Sequence, residues 1–483
     1  MKNDIRKPAS HDRDDGPDAS VDLDRRAFMT RSALLGVAAG AAGLGLHSGA
    51  ALAQAQSAGS MATPHGIIYA DPENLSNNVP LSKVLEISEF LNAPENRVQI
   101  QFPSDKTQYA WVNMSRYYPT AQVRRDGPIS ELDYQIDLGI GEVSYQNQKG
   151  ETLTVNSHFD TLPIDALIVV KGGNVLYERY RTMAPTDKHM LFSCSKITGS
   201  TVLAFLEQEG KIDVDRPISD YVEELKGSVW DTVRLVEALD MATGLDGTEH
   251  DEPKGDSRTN PDQIWYRWAA TQAVGVAGDV KQRNENWYDV LRSMQRQKPA
   301  YQVFEYNSIN TFVMNRTVER IADQPLNVQF SDRFWSKLGM EHDSYYMCAP
   351  NGFTLGFMGL NPTLRDFARF GMAFTPSSTK LAGERLVPQA ILDKIQDMTH
   401  ADMYGKGFMG KSKMLHFPKD PVIANRYQWD AVFPDGDFIK YGVGGQGLYI
   451  SPATDTVVVW LCTSDGTNPE DTMARAIVQQ LSQ

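Results

Sequence analysis

Two groups of β-rich segments, set far apart in the chain, enclose a long stretch of helical character, and this order restricts the fold more than any other feature. The first group is Leu162–Glu178, two strand-like runs joined by Gly172-Gly173, which reads as a hairpin. The second comprises Phe438-Ile439-Lys440-Tyr441, Gly447-Leu448-Tyr449-Ile450 and Thr456–Cys462. Between them residues 211–430 are largely helical with long loops, and a helix from Asp471 to Leu481 follows the last strand. Strands that must meet across a helical insert imply an α+β fold, an antiparallel sheet flanked by helices plus an all-helical lobe.

The N-terminus reads as an address. Asp24-Arg25-Arg26-Ala27-Phe28-Met29-Thr30 is a twin-arginine pattern, and an apolar run from Ala33 to Leu46 follows it. That run is too short and too rich in Ala and Gly to span a bilayer, and Ala51 and Ala53 offer an A-x-A-like cleavage site. The expectation is a twin-arginine signal peptide over 1–55, read by the Tat export machinery. The mature chain would begin near Gln54 and work in the periplasm or be secreted, with no membrane anchor. No Cys precedes Cys194, so a lipid-anchored cysteine is not expected. Residues 56–157 read as an N-terminal extension packed on a main domain at 158–483, with a helix at Leu81–Ile87 and a strand at Glu142–Tyr145.

A net charge of −14 argues against nucleic acid or an anionic membrane surface as partner. The three cysteines, Cys194, Cys348 and Cys462, leave at least one free thiol; a Cys348–Cys462 bridge is open but not deducible. No C-x-x-C or His/Cys cluster points to a metal, and no cofactor is implied. The acidic run Asp246, Glu249, Asp251, Glu252 and Asp256 reads as a solvated loop.

The chemistry is concentrated at Ser193-Cys194-Ser195-Lys196, an S-x-x-K at the start of a helix expected over Ile197–Gly210. Residues three apart share a helix face, so the Ser193 hydroxyl and the Lys196 amine should lie side by side. A serine becomes a nucleophile when a neighbour takes its proton, and a lysine can do so once burial or a nearby cation lowers its pKa. Cys194 offers a rival nucleophile, with His189 close behind it, but on a helix it points about 100° away from Ser193.

These residues, with Leu206–Ile218 after them, resemble the nucleophile helix of the serine β-lactamase and penicillin-binding-protein superfamily. The branch they look most like holds class C β-lactamases, related esterases and the 6-aminohexanoate-dimer hydrolases. Phe304-Glu305-Tyr306-Asn307-Ser308 resembles the family's Tyr-x-Asn/Ser loop, which implies Tyr306 as the third catalytic group. It has Ser308 where class C enzymes have Asn. Tyr441–Tyr449 resembles the strand that carries Lys-Thr-Gly in penicillin-recognising members. The corresponding place is read as Val443-Gly444-Gly445, with no cation. The resemblance implies that Ser308, Gly444, Gly445 and Gln446 bind substrate, and that the N–H groups of Ser193 and Gln446 form an oxyanion hole. Leu239–Leu245 and Thr363–Met372 match two packing segments of the family.

The expected protein is therefore an exported serine hydrolase that cleaves an amide or ester of a small linear molecule through Ser193, Lys196 and Tyr306. Whether Lys196 or Tyr306 is the base is open at this point. A β-lactamase, a D-amino-acid peptidase and a catalytically silent binding member of the fold are the alternatives. Trp265 and Trp268 could line the cleft, although core packing suits each.

Overall fold

The computed structural model describes residues 61–62, 66–252, 257–274, 285–465 and 469–483. The leader read at 1–55 lies outside the described residues. Among those described, no helix is long and apolar enough to cross a membrane.

The hairpin forms as the sequence implies. β4 (Ile164–Lys171) and β5 (Asn174–Tyr180) pair antiparallel around Gly172 and Gly173, whose φ angles of 56° and 76° give the primed turn that two-residue hairpins need. The other strands of this sheet are β1 (Met61–Ala62), β2 (Ile68–Tyr69), β3 (Asp133–Tyr134), β6 (Ala424–Arg426), β7 (Trp429–Val432), β8 (Phe438–Gly442), β9 (Gln446–Ser451) and β10 (Thr456–Cys462). Their order is β1-β2-β5-β4-β10-β9-β8-β7-β6, with β3 also pairing to β5. The early hairpin thus meets the last strand at the centre: Ile168 faces Val459 and Val169 faces Val458, antiparallel. Pairing is antiparallel throughout, apart from the short parallel contacts of β2 and β3 with β5.

Both faces of the sheet are covered, which is why its central strands are nearly continuous apolar runs. Alternate residues enter two separate cores. Ala166, Ile168 and Val170 join Val457 and Val459 in one, with Phe367 and Phe370 of a helix at Leu364–Met372. Leu167 and Val169 join Val458 and Trp460 in the other, with Met473 and Ile477 of the final helix, Glu470–Leu481. Each fully buried Val, Leu, Ile, Phe or Met among them contributes roughly 1.5–3 kcal/mol relative to exposure. Arg365 pins its helix to the sheet through Glu178, Nε to Oε1 at 2.7 Å, and Glu178 also accepts from Tyr180 Oη at 2.6 Å.

The numbered helices that carry or support the site are α1 (Asp105–Trp111), α2 (Lys196–Gln208), α3 (Ile264–Thr271) and α4 (Ser308–Ala322). The helix expected at Leu81–Ile87 continues to Asn92. The strand expected at Glu142–Tyr145 is displaced to Ser144–Gln146, because a 3-10 turn occupies Leu138–Glu142. All three cysteines are free and buried.

Candidate active site

Ser193 does not open an α-helix. It lies in a 3-10 turn, Phe192–Ser195, and α2 begins only at Lys196, so the S-x-x-K spans the junction. The reason is Phe192, whose φ of 47° puts a bulky residue in left-handed backbone and turns the chain just before the serine. The turn is held from several sides. Leu191 N donates to Leu360 O at 3.0 Å, and Leu360 N donates to Ser195 Oγ at 2.9 Å. A Cβ on Gly442 would sit 2.3 Å from Leu191 O, so only glycine lets β8 approach this closely. Of the four turn residues, Phe192, Cys194 and Ser195 are buried and Ser193 alone is partly exposed.

Lys196 is wholly buried, with its Nζ 2.9 Å from Ser193 Oγ and 2.8 Å from Phe357 O. Burial drives its ammonium down to about 7; the Lys440 charge pushes the same way, while Glu249 and Asp430 oppose it. A neutral amine here keeps an N–H for the Phe357 carbonyl and offers its lone pair to the serine proton. Tyr306 completes the group, its ring centroid 5.2 Å from Lys196 Nζ and 5.1 Å from Lys440 Nζ. Burial first, then the charges of Asp430 and Glu249, raise its phenol well above the usual value, so it rests protonated. The Tyr306 loop is seated on the Leu239–Leu245 segment: Glu305 N donates to Met241 O at 3.0 Å, and Asn307 N to Met241 Sδ at 3.2 Å.

Three charged residues at the site escaped the sequence reading. Lys440 of β8 is fully buried, donates to Tyr306 Oη at 3.4 Å and forms an ion pair with Asp430 at 2.6 Å. The strand read as lacking a cation therefore carries one, just before the glycine loop. Its only trace in the sequence is a lysine inside an otherwise apolar strand. Asp430 also accepts from Tyr441 N at 3.0 Å, fixing β7 against β8. Glu249, expected on a solvated loop, is 8% exposed and lines the cleft beside Ser193 and Lys196.

The four expected substrate-binding residues separate. Ser308 lines the cleft, but its N–H, at 3.2 Å, and its hydroxyl both donate to Glu249 Oε1. Gly444 and Gly445 form the β8–β9 turn with φ of 83° and 85°. Gln446 points elsewhere: its side chain donates to Cys462 O at 2.6 Å and accepts from Cys462 N at 3.0 Å. Val443 is the residue of this hairpin that lines the cleft. Cys194 is not poised to react, since its Sγ faces Lys440 O at 3.5 Å and burial pushes its thiol up. Trp265 lines the cleft, whereas Trp268 is wholly buried and packs against Phe357 with ring centroids 4.9 Å apart and the planes tilted by 54°.

The cleft is narrow, enclosing about 30 Å³ of water-accessible space. Among the described residues no cluster of His, Cys, Asp and Glu could hold a metal ion.

Residues 157–483 match the family model described as Beta-lactamase. The 6-aminohexanoate-dimer hydrolase of Paenarthrobacter ureafaciens is 28% identical over 381 residues, 78% of this chain and 87% of that protein. A solved structure of a Bacillus anthracis protein assigned as a 6-aminohexanoate-dimer hydrolase superposes with a TM-score of 0.62 at 22% identity, covering 78% of this chain and 92% of its own. A Bacteroides dorei structure assigned as a β-lactamase reaches a TM-score of 0.50 at 14% identity, over 68% of this chain and 97% of its own.

Proposed function

Because the chain belongs to the beta-lactamase family of serine hydrolases, we propose that it cleaves an amide or ester bond of a small linear substrate through an acyl-enzyme on Ser193. The observation that carries this reading is the wholly buried Lys196 amine, poised near neutrality, 2.9 Å from the Ser193 hydroxyl. Lys196 is the base and takes the Ser193 proton as Oγ attacks the carbonyl. Tyr306, a protonated phenol between two amines, passes a proton to the leaving group and is reprotonated from Lys196. Water then attacks the acyl-enzyme with the same groups acting in reverse.

We assign the developing oxyanion to the N–H groups of Ser193 and Val443. Tyr441 N points away from β9, toward Asp430, and Val443, two residues on and just past the end of β8, is the hairpin residue that lines the cleft beside Ser193. This replaces Gln446 in that role.

The charge in the cleft favours one kind of substrate. The Lys440 charge is matched by Asp430, and both are buried, so the carboxylate that lines the cleft is Glu249. It suits a substrate with an amine near the scissile bond and opposes one with a carboxylate there. The similarity to a protein named for the 6-aminohexanoate dimer agrees with a linear amide. The twin-arginine pattern supports export by the Tat machinery to the periplasm or beyond it, with no nucleic-acid partner.

Two measurements test the reading. kcat/KM should rise with pH through about 7 and then level off, because Lys196 must lose its proton to act as base. A profile flat from pH 5 to 9 would remove Lys196 from that role. In a hydrolysis panel, short esters and linear amides should turn over, and an amino-substituted ester should exceed its carboxylate counterpart by about tenfold, the size of one modest charge interaction of 1.4 kcal/mol. Glu249→Gln should narrow that ratio. Efficient turnover of nitrocefin alone would overturn the substrate assignment and leave the Ser193 chemistry standing.

A further inference from the structure

The family model begins at residue 157, yet the segment before it reaches the reacting serine. Trp111, at the end of α1, is wholly buried and lies edge-on to Phe192, with ring centroids 4.8 Å apart at 78°. Its carbonyl accepts from Met190 N at 2.9 Å, so it holds the nucleophile turn by backbone as well as by ring. The far side of the same indole fills the space beside the β8–β9 loop: a Cβ on Gly444 would lie 2.5 Å from it. Its Nε1 donates to Ile100 O at 2.8 Å, next to Gln101, which is 7% exposed and lines the cleft.

One side chain therefore ties together the strained residue before Ser193, the glycine loop after β8 and a cleft wall from outside the family domain. A non-glycine residue in left-handed backbone persists only where its surroundings over-determine it. Trp111 supplies that constraint on Phe192.

We infer that the N-terminal segment is a working part of the active site, with Trp111 as a positioning residue for the nucleophile turn and the glycine loop, and Gln101 as a specificity-determining wall for the substrate. The inference rests on the hydrolase reading above. Loss of the indole lets Phe192 relax and moves Ser193 Oγ away from Lys196 Nζ, which lowers kcat. Loss of only the Nε1 bond frees the Ile100–Gln101 peptide and loosens substrate binding, which raises KM.

The test compares Trp111→Leu, Trp111→Phe, Gln101→Ala and a control, Trp230→Leu, in the full chain with p-nitrophenyl esters of increasing acyl length. Trp230 is also wholly buried and also donates Nε1 to a carbonyl, Leu291 O at 2.9 Å, but it is not among the cleft-lining residues. Rates are normalised to the folded fraction from near-UV circular dichroism. Trp111→Leu should lower kcat by about 30-fold or more, since angstrom-scale misplacement of reacting groups costs about 100-fold. Trp230→Leu should leave kcat per folded molecule unchanged. Trp111→Phe should recover kcat while raising KM several-fold, and Gln101→Ala should raise KM by a similar factor with a changed chain-length preference. Unaltered kcat in folded Trp111→Leu overturns the positioning role. If that variant yields no folded protein, unchanged KM in both Trp111→Phe and Gln101→Ala overturns the inference. Ser193→Ala in the same assay separates the two levels: ester turnover surviving in it overturns the hydrolase reading itself.

Discussion

Ser193→Ala is expected to abolish hydrolysis of every ester and amide substrate, lowering kcat by about 10⁶-fold, the scale seen when a serine nucleophile is removed from an enzyme that keeps its oxyanion donors. The side chain is small and partly exposed, so the fold and melting behaviour should stay unchanged. Labelling supplies a second readout. A serine-directed phosphonate should form a one-to-one adduct on Ser193 in the native chain, found by mass spectrometry, and none in the variant. Unchanged turnover in Ser193→Ala would sink the mechanism. Failure of the native chain to form an adduct with any reagent would favour a binding protein of the same fold.

Asp430→Asn should have the second-largest effect, and mainly on stability. It leaves the Lys440 ammonium buried with no counter-charge, a situation that costs about 3–5 kcal/mol. The midpoint of denaturant unfolding should fall accordingly. The same substitution removes a charge that holds the Lys196 pKa up, so the acid limb of the rate profile should move below 7. Lys440→Met tests the opposite sign: one of the charges that push the Lys196 pKa down is gone, and the limb should move to higher pH. Combining Lys440→Met with Asp430→Leu should restore much of the stability, because an apolar pair of similar volume replaces a buried ion pair at little cost. A Lys440→Met variant with an unmoved acid limb would show that Lys440 does not act on Lys196.

The sheet was legible because its central strands are apolar on both faces, and the Gly172-Gly173 turn has one natural conformation between them. The proposed reactive group was legible where it is local. Ser193 and Lys196 are three positions apart, and Tyr306 sits in a recognisable loop before α4. What stayed hidden depends on pairings between distant segments. Lys440 meets Tyr306 across 134 positions, and Ser308 meets Glu249 across 59. A glutamate in an acidic loop reads as solvated, and a lysine in a strand has no assigned partner, until register and packing bury them. Gln446 was expected to bind substrate from the resemblance of its strand to the family's, but its side-chain amide is turned to the backbone of Cys462 on β10. The S-x-x-K was read as helical because the helix beyond it is strong; the positive φ of Phe192 has no signature in residue type.

The central pairing of β4 with β10 also governs when the molecule can exist. At the end of that pair, Thr463 Oγ1 donates to Asp165 Oδ2 across 298 positions, and β8, which carries Lys440 and supports the Ser193 turn, is linked to the β4–β5 hairpin through β9 and β10. A nascent chain can wind α2 early, since a helix closes its own backbone hydrogen bonds, but the middle of its sheet is missing until synthesis passes Cys462. Contacts of such long sequence separation are closed late and slowly. Ser193 is thus made long before it has a strand to lie against, and the turn that holds it stays unsupported until β8, β9 and β10 have followed it from the ribosome.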